Sequence, residues 1–301
     1  MTTKTPCRLR GFTLVEMLVV IAIIGVLAAI LVPTLYRVVI KARQTRIAQE
    51  MSELHKAMES YKQKFGDYPP DFTTFTAADL TPNLNANHLV VRHLRKAFPR
   101  HAENLTLAFS DGSGNFRKPD PAEALVFWLA QLWDDPRKPL MGSGQRIVLF
   151  PFDEKRLVDP DGDGLYAYIP PDGKDAPYVY FDSRIYTDKR QISSSNTDPI
   201  ASLCRYEDAA GTRLLHPYTT KRNNAPVSVT NPLTMANPTT FQIISAGLDG
   251  DYGEVMGVVD PADPTTYKLF PFGDNYQIGD LDNISNFSVG GDGTIFEDQM
   301  E

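Results

Sequence analysis

Residues 12 to 32, "FTLVEMLVVIAIIGVLAAILV", are apolar but for Thr13 and one carboxylate, Glu16. A helix needs about 20 such residues to cross the hydrocarbon of a bilayer, and this run supplies them with a single charge. A lone carboxylate in such a helix costs roughly 2.5–3.5 kcal/mol on insertion scales. Keeping it there predicts a partner, a cation that meets it in the low-dielectric layer. Ahead of the run stands "MTTKTPCRLRG", short and basic through Lys4, Arg8 and Arg10, with the character of a leader rather than of a folded segment. Arg37, Lys41, Arg43 and Arg46 follow the run closely, so cations flank it on both sides and charge bias leaves its orientation open.

The helical pattern does not stop at the end of the apolar run. Tyr36, Val39, Ile40, Ile47, Met51, Leu54, Met58, Tyr61 and Phe65 recur at helical spacing, with Arg37, Lys41, Glu50, Glu53, Lys56 and Lys62 between them. Gly66 and "DYPP" are a stop signal. A helix from Phe12 to Phe65 is about 80 Å long at ~1.5 Å per residue. Pro33 removes one ladder bond and is expected to kink or loosen it. The first half needs lipid or sister helices, and the second half needs a globular head to cover its apolar stripe.

The stretch "GFTLVEMLVVIAIIGVLAAILVP" resembles the N-terminus of type IV pilins and type II secretion pseudopilins. That resemblance implies cleavage by prepilin peptidase between Gly11 and Phe12 and N-methylation of Phe12. Glu16 becomes the fifth residue of the mature chain and Pro33 the twenty-second. The family's assembly then supplies the missing cation, since the new amine of Phe12 in a staggered neighbouring subunit can meet Glu16. "LHKAMESYKQKFGDYPPD" resembles the end of the long helix in major pseudopilins. The likeness is strong over residues 8 to about 70 and weak over 240 to 287.

The domain organisation expected is a leader (1–11), a transmembrane and assembly helix (12–35), its amphipathic continuation (36–66) and a head (67–301). The resemblance implies an α+β, pilin-like fold whose long helix packs on a mainly antiparallel β head. The middle region is larger than a compact major pseudopilin head. "DPAEALVFWLAQLWDD", 120 to 135, reads as a core helix. Strand-like runs lie at 146–152, 165–169, 177–186, 240–247 and 286–289. Residues 187 to 238, rich in Ser, Thr, Asn and Pro, read as a long surface excursion.

No nucleophile elbow, Walker motif or zincin motif is present, and the five histidines show no zinc-like pairing. His88 and His93 read as surface residues. The net charge of -7 argues against a nucleic-acid surface. Two cysteines, Cys7 and Cys204, far apart in sequence, do not make a disulfide scaffold. "DPDGDG" places Asp159, Asp161 and Asp163 at alternate positions before Gly164, the opening of a calcium loop. Position twelve of a full EF-hand falls on Pro170, so the closing glutamate is missing and the loop reads equally as a hydrated acidic turn. A second acidic stretch, "SAGLDGDYGE" with the later "GDLDNISNF", resembles the C-terminal loop of major pseudopilins. Carried over, the resemblance implies a structural calcium ion on Asp249, Asp280 and Asp282, although residues 255 to 279 intervene.

The reading that follows is a non-enzymatic subunit of a homo-oligomeric filament in the inner (cytoplasmic) membrane, with its head on the periplasmic or extracellular side. A type II secretion pseudopilin fits first. Its implied partners are prepilin peptidase, the inner-membrane assembly platform with its ATPase, and other pseudopilins. The alternatives are a type IV pilin, a large minor pseudopilin, or a calcium-binding recognition domain displayed on a pilin-type anchor.

Overall fold

A computed structural model describes residues 14–80, 88–188, 202–203, 206–207, 214–220, 234–253, 268–270 and 276–287. The chain divides between Arg43 and Gln44 into two compact units. Helix α1, Leu14–Phe65, passes through the division. The head unit therefore begins within the helix, earlier than residue 67.

In the first unit every residue of α1 from Leu14 to Val39 is exposed. Tyr36 and Val39, expected in the apolar stripe, are among them. Helical residues continue on both sides of Pro33. Beside it the Thr34 hydroxyl donates to the carbonyl of Ile30 at 2.9 Å. In the second unit the stripe is buried as its spacing predicts, through Ile47, Met51, Leu54, Met58, Tyr61 and Phe65. Gly66 ends the helix in the left-handed region (φ 82°), and its N–H donates to Lys62 O at 2.7 Å.

The stripe packs against a three-stranded antiparallel sheet of order β3-β2-β1: β1 Val179–Asp182, β2 Phe241–Ser245 and β3 Ile284–Ser285. The register pairs Phe241 with Asp182 and Ile244 with both Val179 and Ser285. Alternation along a strand sends successive side chains to opposite faces. Tyr180, Phe241, Ile243 and Ile284 accordingly join the core with α1, while Val179, Phe181 and Ile244 enter a second core beneath. Buried on both faces, the central strand reads as a nearly continuous apolar run. Its Gln242 side chain is satisfied by Tyr218 N, Tyr218 O and Ala236 O.

The "DYPP" segment enters the head through its carbonyls. Pro69 O accepts from the Tyr180 hydroxyl at 2.6 Å and Pro70 O from the Trp128 indole at 2.8 Å. Higher on α1, Glu50 accepts from Arg156, Tyr168 and Tyr178, which ties the helix to the 153–180 region by a charge-assisted network.

Several expectations are corrected. The helix read at 120–135 is only Ala124–Val126 plus a π-helical turn, Phe127–Gln131. The strand read at 146–152 is absent; its N–H groups cap that helix instead. Leu149 N donates to Leu129 O and Ile147 N to Leu132 O, both at 2.8 Å, and the chain turns extended at Leu132. His93 is in the core, not on the surface. Its ring stacks on Tyr61 and takes a 2.8 Å hydrogen bond with the tyrosine hydroxyl, and burial pushes its pKa down to about 3. His88 caps a second helix, Leu89–Ala97, by accepting from Val90 N at 3.2 Å. The described parts of 187–238 are not a surface excursion. Tyr206, Leu215, Tyr218 and Met235 are buried in the second core, and short ladders join 206–207 to 214–215 and 219–220 to 234–235. Residues 219–220 also pair with 269–270, in parallel.

Candidate functional site: the apolar helix and two acidic loops

Glu16 lies in the first turn of the described α1, on an exposed surface shared with Leu14, Val15, Met17 and Leu18. Along α1 no other charged residue occurs before Arg37. The helix is long and apolar enough to cross a membrane, with a mean hydropathy of 3.0 over 18 residues, none of them buried. Gly11 and Phe12, the processing positions, lie outside the described residues, as do Cys7 and Cys204.

The first acidic loop folds around its own aspartates. Asp159 accepts from Asp163 N at 3.1 Å and Gly164 N at 3.0 Å, Asp161 from Asp163 N at 3.3 Å, and Asp163 from Leu165 N at 2.7 Å. Gly162 and Gly164 take the left-handed conformations this winding needs. A residue the sequence reading missed then joins them. Glu123, Asp161 and Asp163 each offer a carboxylate oxygen, all within 4.8 Å of one another. Glu123 is 3% exposed. It is placed by a reciprocal turn in which Glu123 accepts from Asp120 N at 2.9 Å and Asp120 accepts from Glu123 N at 2.9 Å. Burial, and then the charge of Asp120, push the Glu123 carboxyl up to about 9. Burial raises Asp120 to about 6. The spacing Asp120-x-x-Glu123 ahead of an apolar run was the available signal, but it spoke of a helix start, not of a partner 38 residues on.

The set expected at the other loop, Asp249 with Asp280 and Asp282, does not come together around one point. Asp282 accepts from Leu248 N at 2.7 Å and Asp249 N at 3.2 Å; its second oxygen is buried without a hydrogen-bond partner. Burial, and then the charge of Asp249, raise Asp282 to about 6. Asp280 is turned to a different set of donors. Its Oδ1 accepts from Lys268 Nζ at 2.7 Å and the Tyr218 hydroxyl at 2.6 Å, and its Oδ2 from Gln277 N at 2.8 Å. Asp249 and Asp282 remain a carboxylate pair that suits a cation. Asp280 is already neutralised, so the three-aspartate set does not fit one ion.

Comparison with known proteins bears on the N-terminal region. Residues 8–32 match the prokaryotic N-terminal methylation motif. The chain is 38% identical over 82 residues to the type II secretion system core protein G of Escherichia coli K12, covering 26% of this chain and 57% of that one. It is 42% identical over 62 residues to the protein of the same name from Klebsiella pneumoniae, covering 21% and 44%. It is 36% identical over 64 residues to the type IV major pilin protein PilA of Myxococcus xanthus, covering 20% and 29%. The matches thus span about three tenths to under three fifths of these relatives' lengths. No solved structure matches. Over its N-terminal region, where the methylation motif opens the 52-residue helix, this chain is therefore similar to type IV pilins and type II secretion pseudopilins.

Proposed function

We propose that the chain is a structural subunit of a pilus-like filament, a type II secretion pseudopilin, cut between Gly11 and Phe12 and N-methylated by prepilin peptidase. The observation that carries this is α1 from Leu14 to Val39, exposed throughout and apolar but for Glu16 in its first turn, Thr34 and Arg37. Such a surface stays out of water only in lipid or against copies of itself. In a filament a staggered neighbour's Phe12 amine meets Glu16 in the low-dielectric layer, where a carboxylate is otherwise costly. The inner membrane anchors the subunit, with its head on the periplasmic or extracellular side. Its partners are the assembly platform with its ATPase and other pseudopilins.

The test is Glu16→Ala in cells that overproduce the chain. The processed variant should accumulate in the membrane fraction at parental levels, while sheared filament should fall at least tenfold. Parental yields of filament from Glu16→Ala would remove the assembly role. An intact mass inconsistent with an N-methylated Phe12 terminus would remove the processing step.

A second reading, favoured by the approach of buried Glu123 to Asp161 and Asp163, is a calcium ion in the 159–164 loop. Glu123 would supply, from a distant segment, the carboxylate that position twelve lacks. Calcium would stabilise the head by linkage. Full-length chain in detergent should melt several degrees higher in millimolar calcium than in chelator, and Asp161→Asn with Asp163→Asn should abolish that gain. Equal melting of the parent in both would dismiss the reading. A gain that survives the double substitution would move the ion to Asp249 and Asp282.

A further inference from the structure

Asp280 is 0% exposed and sits where three chain segments meet: the turn 247–253, the strand residues 269–270, and the short 3-10 turn Ile278–Asp280. An ionised carboxylate in that position is stable only with a cation and a full set of donors. Lys268 supplies the cation. Its side chain is 14% exposed, and its ammonium donates to Asp280 Oδ1 at 2.7 Å and to the carbonyl of Tyr252 at 3.0 Å. Tyr218 and Asn283, which also donates to the Tyr218 hydroxyl at 2.9 Å and to Tyr252 O at 3.3 Å, complete the cluster.

The backbone is shaped for this contact. Gly253 has φ +80°, and a Cβ there would stand 2.3 Å from Asp280 Oδ2 and 2.8 Å from Lys268 Nζ. A Cβ on Gly279 would stand 2.6 Å from the Asp251 carboxyl carbon. Both glycines are therefore required where the two arms of the loop close on the lysine. One ammonium thus takes a side-chain carboxylate and a main-chain carbonyl from separate segments. Those are the ligand types a divalent cation would collect. Lys268 itself belongs to the stretch 255–279 that separates the two acidic halves of the loop.

We propose that Lys268 is a built-in counter-ion that takes the place of a metal at Asp280 and closes the C-terminal loop of the head without one. The intervening stretch then carries the group that makes closure independent of divalent ions, rather than merely lengthening the loop.

A double-mutant cycle tests this on the full-length chain in detergent, with chelator present throughout. Lys268→Met and Asp280→Asn should each lower Tm by about 5–15 °C. The pair together should lose clearly less than the sum, because each single change leaves the other group's polar atoms buried without their partner. Additive losses, or a Lys268→Met Tm equal to the parent's, would overturn the proposal. If a single variant is too unstable to purify, the double variant decides: its purification as a folded chain supports the pairing, and its failure to fold as well refutes it. A separate arm compares parent and Asp280→Asn in millimolar calcium. A calcium-induced rise in the parent's Tm that Asp280→Asn abolishes would assign Asp280 to a metal and sink the idea.

Discussion

Residues 14–39 and 44–65 are parts of one helix with one backbone hydrogen-bonding pattern, yet their side chains meet opposite fates. In the second part the apolar residues form a stripe that is covered by the chain's own sheet, and the polar residues between them face solvent or, like Glu50, hold Arg156 and two tyrosines. In the first part apolar residues occupy the whole circumference and are exposed. The difference lies in the width of the apolar surface rather than in helix formation. A stripe of limited width can be hidden by one partner within the same chain. An all-round apolar surface needs an environment on every side, which lipid or a bundle of sister helices provides. Glu16 is the single carboxylate on that exposed apolar surface.

The comparison predicts that substitutions of equal size in the two parts differ sharply in their effect on the head. Leu54→Ala, at a fully buried position, should cost about 2–5 kcal/mol in urea unfolding followed by the tyrosine and tryptophan signal of the head. Ile24→Ala, at a position 59% exposed, should leave that transition within about 0.5 kcal/mol of the parent. A loss of several kcal/mol at Ile24 would break the contrast, because it would mean the first part contributes to the stability of the head. A neutral Leu54→Ala would break it from the other side.

Much of the helix was legible before any coordinates. The stripe Ile47, Met51, Leu54, Met58, Tyr61 and Phe65 follows from residue spacing, and the stop at Gly66 follows from a residue able to adopt φ 82°. The central strands lie within the runs 177–186 and 240–247, whose aromatic and β-branched residues suit a sheet buried on both faces. The methylation motif was readable in the same way, because it is a continuous stretch whose residues act in order along the chain.

Other features required the fold. An apolar run shows that a segment is buried but not where its N–H groups go. That is why 146–152, read as a strand, instead donates to the carbonyls at the end of the Phe127–Gln131 turn. A histidine's spacing does not reveal the Tyr61 hydroxyl and the aromatic neighbours that make room for His93 in the core. The acidic loops make the same point about charge. The alternate aspartates at 159–163 and the pairs at 249–251 and 280–282 are all visible as carboxylates in the sequence. Which counter-charge each one meets depends on segments distant in the chain. Tertiary structure brings Glu123 to Asp161 and Asp163 and Lys268 to Asp280. Local sequence determined what could be helical, what could lie in a membrane and where a turn could close, because those depend on neighbours a few residues away. The partner of each buried charge was decided only by folding, because the energy of a charge in a low-dielectric interior depends on whatever sits within a few ångströms of it, from any part of the chain.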